Sequence, residues 1–193
     1  MNSINPFNPG YYSSEELLKL GFKKVGINIQ IAKNSTIIGL ENISLGNNIR
    51  IDGGVTLACA SGYLNIGNYI HIGGNCHLSC AGGVELNDFS SLSQGVKIYS
   101  ASDDFSGEFF TNPTVPKEFL NVRKETISIG RHVIIGAGSV VLPGVNIGEG
   151  SSIGALSLIT QSLSEWGIYG GIPVKKIKER KRDILKKEKY ILS

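Results

Sequence analysis

The chain has 193 residues, 41% of them hydrophobic and 18% charged, and a formal net charge of +3. This is the composition of a soluble protein with one extended core, and no apolar run reaches the roughly 18 residues that a membrane span needs. The opening residues, MNSINPFNPGYY, lack the basic start and apolar stretch of a secretory signal, so we expect a cytoplasmic location.

The first predicted element is a short helix over residues 13–20, SSEELLKL. Ser13 or Ser14 is the expected N-cap, two glutamates occupy the first turn, and Gly21 ends the helix. Within an N-terminal segment of residues 1–24, this helix is expected to cap the structure that follows.

A repeat of six residues begins at position 25. An aliphatic side chain recurs every six positions, in trios that are separated by steps of eight or nine residues. The positions before residue 100 are Val25, Ile31, Ile37, Leu45, Ile51, Leu57, Ile66, Ile72, Leu78, Leu86, Leu92 and Ile98. Neither a helix nor a strand has this period, so it indicates a repeat fold. Three short strands make one triangular coil, and stacked coils bury a common core.

Polar and thiol side chains stand at defined places in these coils. His71 and His77 directly precede two of the repeat positions, so each is expected to point outward, on two different faces of the third coil. Cys59 and Cys80 follow repeat positions by two residues, so they are expected to stack as reduced thiols. The odd number of cysteines argues against a disulfide framework.

The repeat is interrupted at residues 101–126, ASDDFSGEFFTNPTVPKEFLNVRKET. A loop of this length inside a compact domain is usually functional or disordered. Its side chains Phe105, Phe109 and Phe110 favour docking onto a neighbouring subunit.

After the interruption the six-residue period continues without a break. The positions are Ile129, Ile135, Val141, Ile147, Ile153 and Ile159, and glycine directly follows four of them. The sequence therefore predicts an all-β solenoid, a parallel β-helix of about six coils over residues 25–163, within a single domain of residues 1–193.

A basic segment closes the chain, with nine basic and three acidic residues between Lys175 and Lys189. Its Ile177, Ile184 and Ile191 mark an amphipathic helix, which is expected to cap the open end of the solenoid within a C-terminal segment of residues 164–193. Aromatic residues do not interleave the KKIKERKRDILKKEKYIL stretch, so a solvated helix is favoured over a nucleic-acid-binding tail.

Four stretches carry a family resemblance: the repeat itself, SASDDFSG at the interruption, IIGAGSVVLPGVNIGEGSSIGALSLIT, and YGGIPVKKI. Together they resemble the hexapeptide-repeat acyltransferases, in the branch of maltose and galactoside O-acetyltransferases and nucleotide-amino-sugar N-acyltransferases. The resemblance implies left-handed coils and a homotrimer with active sites between subunits. It also implies an acyl-CoA co-substrate and a role in surface polysaccharide synthesis, such as that of O-antigen or lipopolysaccharide.

The same resemblance implies a coenzyme A site along coils five and six. Ala137, Ala155 and Thr160 match family positions along the coils, and Lys175 and Lys178 match basic positions near the nucleotide phosphates. Gly136 precedes one of these alanines, where a small residue lets backbone amides approach the pantetheine. A corner of the coil favours a small residue as well, so both explanations stay open for Gly136.

The chain departs from the O-acetyltransferases at the last position of the hexapeptide of residues 98–103, which leads into the interruption. Those enzymes carry a histidine there as general base, whereas this chain has Asp103, followed by Asp104. A sugar hydroxyl needs a base with a pKa near 7, and a carboxylate with the ordinary pKa of about 3.9 is a poor one. An amine with a pKa of about 8 is partly neutral and attacks a thioester unaided, so it needs only an orienting carboxylate. The change favours N-acylation of an amino sugar, with a nucleotide as its carrier.

Two alternatives remain open. The first is O-acetylation of a sugar hydroxyl, with His71 or His77 as the base. The second is a protein of another class, either a scaffold without catalysis or a metal enzyme. A metal enzyme of this fold needs three converging histidines. The third histidine, His132, lies two coils from the others, so no metal is expected.

Overall fold

The computed structural model describes residues 5 and 7–192, and over this range the chain forms a β-solenoid of about seven turns with two α-helices. The strands in chain order are β1 (Tyr11–Ser13), β2 (Ile29–Ala32), β3 (Thr36–Ile38), β4 (Ile43–Leu45), β5 (Ile49–Ile51), β6 (Thr56–Ala58), β7 (Leu64–Ile66), β8 (Ile70–Ile72), β9 (His77–Ser79), β10 (Val84–Leu86), β11 (Ser91–Leu92), β12 (Lys97–Tyr99), β13 (Ala101–Ser102), β14 (Arg123–Lys124), β15 (Ile127–Ile129), β16 (Ile134–Ile135), β17 (Val140–Val141), β18 (Asn146–Ile147), β19 (Ser152–Ile153), β20 (Leu158–Ile159), β21 (Gly167–Gly170) and β22 (Lys175–Glu179). The helices are α1 (Ser14–Leu17) and α2 (Ile184–Leu192), and 3-10 turns lie at Leu40–Asn42 and Lys117–Phe119.

The strands stack into long sheets that form the faces of a triangular prism. Sheet A has the order β1-β2-β5-β8-β11-β16-β19-β21-β22, sheet B the order β18-β15-β10-β7-β4, and sheet C the order β20-β17-β12-β9-β6-β3. Each turn of the chain passes from sheet B to sheet A and then to sheet C. Apart from the terminal strands β1 and β22, neighbours in these sheets pair in parallel and in register, as the predicted parallel solenoid requires.

The six-residue repeat supplies the core. The repeat positions are buried except for Val25 and Ile37, which are partly buried and pack against the core. Within sheet A, Ile31 pairs with Ile51 and Ile51 with Ile72, so side chains of one repeat position stack above each other. Stacking between turns therefore buries apolar surface that no single turn could bury alone.

One turn more than the predicted six is present. Leu163 bridges to Ile147 in sheet B, and Tyr169 pairs with Ile153 in sheet A, and both side chains are buried. Leu163 follows Ile159 by four residues, and the next core position, six residues later, is an aromatic side chain rather than an aliphatic one. The regular pattern therefore ends before the solenoid does.

The corner between sheets B and A has a column of residues in the left-handed backbone conformation. They are Asn28, Asn48, Tyr69, Phe89, His132 and Trp166, with φ between 53° and 60°. The rings of Tyr69 and Phe89 stack at 4.7 Å, and those of Phe89 and His132 at 5.0 Å. At the turn between His132 and Trp166 the residue is Gly150, where an added Cβ would lie 2.4 Å from the indole. Trp166 thus covers Gly150 and extends the stack.

The N-terminal helix is confirmed but is shorter than predicted. Ser13 is its N-cap, and it forms a capping box with Glu16, whose carboxylate accepts from the Ser13 backbone N–H. Leu17 is buried against the first turn, and β1 pairs antiparallel with β2. The prediction that the chain does not begin with a secretory signal involves residues 1–4 and 6, which lie outside the described range. Ser193, the last residue of the predicted domain, also lies outside it.

The predicted C-terminal helix is wrong in its first half. Residues Lys175–Glu179 form β22, which pairs antiparallel with β21 because the edge of sheet A offers unpaired backbone groups. The helix is confined to α2, which packs beside sheet A rather than across the open end. There Glu188 pairs with Arg131 and lies 3.1 Å from the His132 ring nitrogen. In the described residues, no helix is long and apolar enough to cross a membrane.

Candidate active site

The interruption of the repeat forms an arm, residues 101–126, that leaves the solenoid between its fourth and fifth turns. β13 and β14 pair antiparallel at its base, and the Glu125 N–H donates to the Ser100 carbonyl. The aromatic side chains further out are exposed, Phe105 at 92% and Phe110 at 62%. Their docking onto a second subunit stays a prediction.

A cavity of about 470 Å³ lies where the arm meets the corner between sheets C and B. Its lining is Tyr99, Ala101, Ser102, Asp103, Phe105, Val122, Leu142 and Pro143. Asp103 is the one acid in this lining and also borders a second hollow on the arm, together with Asp104 and Phe110. Asp103 therefore borders both hollows, and the first of them is lined mainly by apolar side chains such as Val122 and Leu142.

The two predicted aspartates have different environments. Within the described part of the chain, the carboxylate of Asp103 has no hydrogen-bond or ion-pair partner. The carboxylate of Asp104 accepts from the Ser106 backbone N–H at 2.7 Å and its hydroxyl at 2.6 Å, and from Asn121 at 3.4 Å. These hydrogen bonds, those from Ser106 first, lower the pKa of Asp104. Asp104 thus shapes the arm, and the carboxylate of Asp103 is available to a ligand.

The two predicted histidines lie on different faces, as expected. His77 is on β9 in sheet C, with its ring 5.6 Å from that of Tyr99, so it shares a face with the cavity. His71 is on β8 in sheet A, and its Nε2 lies 2.9 Å from Asp52 Oδ2. Burial acts to raise the pKa of Asp52, but hydrogen bonds from His71 and Arg50 lower it overall. His77 therefore lies beside Tyr99, which lines the cavity together with Asp103, whereas His71 lies on another face.

Four of the predicted coenzyme A residues follow the corner between sheets A and C. Gly136 and Ala137 come after β16 and stack on Ala155, which comes after β19. A Cβ added at Gly136 would lie 2.4 Å from the Ala155 backbone nitrogen, so stacking alone requires this glycine. One turn further, Lys175 pairs with Gly170 at the same corner. Because Gly136, Ala137 and Ala155 have small side chains or none, little side-chain volume covers the backbone at this corner.

The other two coenzyme A candidates lie elsewhere. Thr160 comes after β20 at the corner between sheets C and B, one turn beyond Leu142 of the cavity, since the Leu142 N–H donates to the Ile159 carbonyl. Lys178 is exposed on β22 opposite Ile168 in sheet A. Five of the six candidates thus lie at the two edges of sheet C, and Lys178 lies on the outermost strand of sheet A.

Metal ligation finds no support in the arrangement of the histidines. His71 is on sheet A, His77 on sheet C, and His132 in the corner column between sheets B and A. Among the described residues, no three histidine, cysteine or acidic side chains are grouped as metal ligands.

Sequence reasoning missed three side chains of this face: Lys97, Tyr99 and Leu142. A detectable signal was present, because residues on either side of a buried strand position point outward. Lys97 and Tyr99 flank the buried Ile98 in just this way. The alternation within each strand, and not only the six-residue period, marks the outward face.

Comparison with known proteins places these features in context. The family model of the bacterial transferase hexapeptide (six repeats) matches residues 126–161. A dTDP-4-amino-4,6-dideoxy-D-glucose acyltransferase from Escherichia coli is 40% identical over 178 residues, which are 92% of this chain and 93% of that protein. The crystal structure of AntD, an N-acyltransferase from Bacillus cereus in complex with dTDP and 3-hydroxybutyryl-CoA, is 44% identical. It superposes with a TM-score of 0.90 over 95% of this chain and 96% of AntD. A variant of AntD has been solved with dTDP-4-amino-4,6-dideoxyglucose and coenzyme A.

Proposed function

Because this chain belongs to the hexapeptide-repeat transferase family, we propose that it transfers an acyl group from coenzyme A to the amine of a nucleotide-linked amino sugar. The observation that carries the proposal is the carboxylate of Asp103 at the rim of the cavity, which has no partner among the described residues. It stands where O-acetyltransferases of this family carry their histidine base. An amine needs a group that orients it and does not need a strong base.

The reaction follows from these groups. Asp103 accepts a hydrogen bond from the acceptor amine and directs its lone pair at the thioester carbonyl. The C–N bond forms, the C–S bond breaks, and the proton that the nitrogen loses is taken up by the departing thiolate to give the free thiol of coenzyme A. Orientation of the two reactants supplies the main catalytic contribution.

The relatives support this assignment of Asp103. AntD has been solved as variants substituted at a serine and at an aspartate ten positions after it. In the present chain Asp103 alone among the aspartates has a serine ten positions before it, Ser93. Ser93 follows β11 at one edge of sheet C, and Asp103 lies beyond the other edge. An acceptor that meets both residues of one copy therefore lies across β12, on the outward face of sheet C.

The coenzyme fits the regular half of the solenoid. We propose that pantetheine lies along the corner formed by Gly136, Ala137 and Ala155, with Lys175 beside its phosphates. Thr160 and Lys178 are weaker candidates because they lie away from this corner. A homotrimer, in which the exposed aromatic arm of one copy covers a neighbour, is part of the proposal.

The acceptor class indicates the biological setting. Amino sugars activated as nucleotides are precursors of surface polysaccharides such as O-antigen and lipopolysaccharide. Both substrates, a nucleotide sugar and an acyl-CoA, are cytoplasmic metabolites, so we propose that the reaction takes place in the cytoplasm.

O-Acylation remains the second candidate because His77 faces the same side as the cavity and its ring lies 5.6 Å from that of Tyr99. The other proposed base, His71, is held by Asp52 on sheet A. A base for a hydroxyl acceptor would therefore have to be His77.

A matched pair of acceptors tests the proposal. The enzyme is incubated with acetyl-CoA and either dTDP-4-amino-4,6-dideoxyglucose or dTDP-6-deoxyglucose, which carries a hydroxyl in place of the amine. We expect release of free thiol and an acetylated product with the amine alone. Turnover of the hydroxyl compound would establish O-acylation instead. The assay is repeated with 3-hydroxybutyryl-CoA as the donor. If neither acceptor is turned over with either donor, the proposal is wrong.

A further inference from the structure

We propose that Lys97 and His77 bind the diphosphate of the acceptor, and that the ring of Tyr99 supports the sugar between this diphosphate and Asp103. The inference rests on the proposed function and adds to it a diphosphate subsite on the outward face of sheet C.

The three side chains form one continuous surface. Lys97 pairs in register with His77 on the neighbouring strand, and paired residues of adjacent strands lie about 4.8 Å apart on the same face. Tyr99 follows Lys97 by two residues on β12 and so points to the same side, and its ring lies 5.6 Å from that of His77. Tyr99 also lines the cavity that Asp103 borders. The order across the face is therefore basic pair, aromatic ring, carboxylate.

Among the described residues, the basic pair has no counter-charge. The ion pairs among the described residues engage several other basic groups of the molecule: His71 with Asp52, Arg123 with Glu125, His132 with Glu188, and Lys176 with Glu179. Neither Lys97 nor His77 has an ion pair in that same range. The flanking residues in the column, Thr56 beside His77 and Val140 beside Lys97, are uncharged.

The charge order of this surface matches that of the proposed acceptor. A nucleotide-linked 4-amino sugar carries a diphosphate at one end of its pyranose ring and an amine at the other. Lysine binds phosphate as a point charge, and an imidazole N–H donates to a phosphate oxygen. With the diphosphate on Lys97 and His77 and the ring against Tyr99, the amine faces Asp103. Reversed binding would set the diphosphate against that carboxylate and is disfavoured by repulsion.

This arrangement assigns His77 a binding role in place of a catalytic one. A histidine that holds the diphosphate is directed away from the amine. Its substitution should then raise KM for the nucleotide sugar and leave kcat largely unchanged, whereas loss of a general base would lower kcat.

Binding of dTDP, measured by isothermal titration calorimetry, tests the subsite without an activity assay. We expect Lys97→Met and His77→Asn each to weaken dTDP binding about tenfold or more, because each removes a charged or charge-assisted hydrogen bond. The matched control is Lys23→Met, an exposed lysine on the first turn, which should bind dTDP like the wild type. Raising the salt concentration should weaken wild-type binding more than that of Lys97→Met.

The outcomes separate this inference from the proposed function. If the wild type binds dTDP and both variants bind it equally well, the subsite is wrong and the acyltransferase proposal stands. If the wild type does not bind dTDP, the nucleotide carrier itself is wrong. If Lys23→Met weakens dTDP binding as much as Lys97→Met does, the loss reflects the change in net charge and not a contact with Lys97, and the proposed subsite is wrong.

Tyr99 is tested with two substitutions. Tyr99→Phe keeps the ring and should keep KM for dTDP-4-amino-4,6-dideoxyglucose within about twofold of the wild type. Tyr99→Ala removes the surface that we propose supports the sugar, so it should raise this KM about tenfold. Circular dichroism of Tyr99→Ala checks that the fold is intact. Equal KM values for both variants and the wild type would contradict the role of the ring as a support.

Discussion

The two halves of the solenoid differ in regularity and in the chemistry of their outward faces. Before the arm, the coils are separated by steps of eight or nine residues, and the outward column of sheet C is polar: Thr36, Thr56, His77 and Lys97. After the arm the six-residue period is strict, and the same column continues with Val140 and Leu158. The family model matches this second half, at residues 126–161.

This contrast separates two tasks. The regular half has small corner residues and an apolar column, and it is where we propose that the long, flexible pantetheine of the donor lies. The irregular half and the arm carry the charged and aromatic groups that we assign to the acceptor. Our proposal therefore assigns acceptor specificity to the part where the repeat is least regular, and the donor site to the part where it is most regular.

The largest expected effect comes from the first region. Asp103→Ala should lower kcat/KM for the nucleotide amino sugar about 100-fold or more, because the amine loses the group that orients it. The melting temperature should not change, since this exposed carboxylate has no partner among the described residues. Steady-state kinetics and thermal unfolding measure the two quantities.

The control for this prediction is Asp104→Asn. Its carboxylate holds the arm through Ser106, so the variant should loosen the arm and increase proteolysis there, with a smaller loss of kcat. Equal kinetic losses in both variants would mean that the order of the arm, and not the carboxylate of Asp103, determines the rate.

The second region is probed by two glycines on adjacent turns. A Cβ at Gly136 would lie 2.4 Å from the Ala155 backbone nitrogen, whereas one at Gly154 would meet its nearest neighbour, the Tyr169 carbonyl, at 3.5 Å. Gly136→Ala should therefore lower the free energy of unfolding by about 1–3 kcal/mol, and Gly154→Ala by less than about 0.5 kcal/mol. Urea unfolding measures both values.

The same pair of variants tests the coenzyme site. Gly154→Ala should weaken binding of coenzyme A while the protein keeps its stability, because it adds a methyl group at the exposed corner where we place the pantetheine. Unchanged affinity in this variant would move the coenzyme away from the corner between sheets A and C.

The smallest effect concerns the thiols, which are all in the first half. Burial raises the pKa of the Cys76 thiol to about 11, and this thiol donates to the Ser93 carbonyl. A raised pKa means less thiolate at pH 8, so alkylation of Cys76 in the native protein should be at least about tenfold slower than in the unfolded chain. Its rate should continue to rise above pH 9. Rapid labelling at pH 8, followed by mass spectrometry, would show that the irregular half opens readily.

The repeat made most of the fold predictable. Ile31 and Ile51 already indicate a core position, and their burial and pairing confirm it. Tyr169 breaks the aliphatic pattern, so the seventh turn was missed. Ile177 fits a helical period, but its segment forms the strand β22 because it pairs with the edge strand β21. Local periodicity cannot reveal which edge will need a partner.

The sequence indicates where the candidate site lies, but it does not indicate which polar side chains of the site are hydrogen-bonded to other residues. The departure at Asp103 was visible in the sequence because the repeat defines the hexapeptide of residues 98–103, which leads into the arm. The hydrogen bonds from Ser106 to Asp104 depend on the local fold of the arm, whereas the contact of His71 with Asp52, nineteen residues earlier, depends on the stacking of one turn on the next. Such contacts determine which of two neighbouring polar groups remains free for a ligand.

A crystal structure of the enzyme with coenzyme A and dTDP-4-amino-4,6-dideoxyglucose tests the central claim most directly. Our account predicts an Asp103 carboxylate oxygen within hydrogen-bond distance of the sugar nitrogen, about 2.6–3.2 Å, with the nitrogen facing the thiol of the coenzyme. An amine that lies beside His77, with Asp103 turned to solvent, would contradict it.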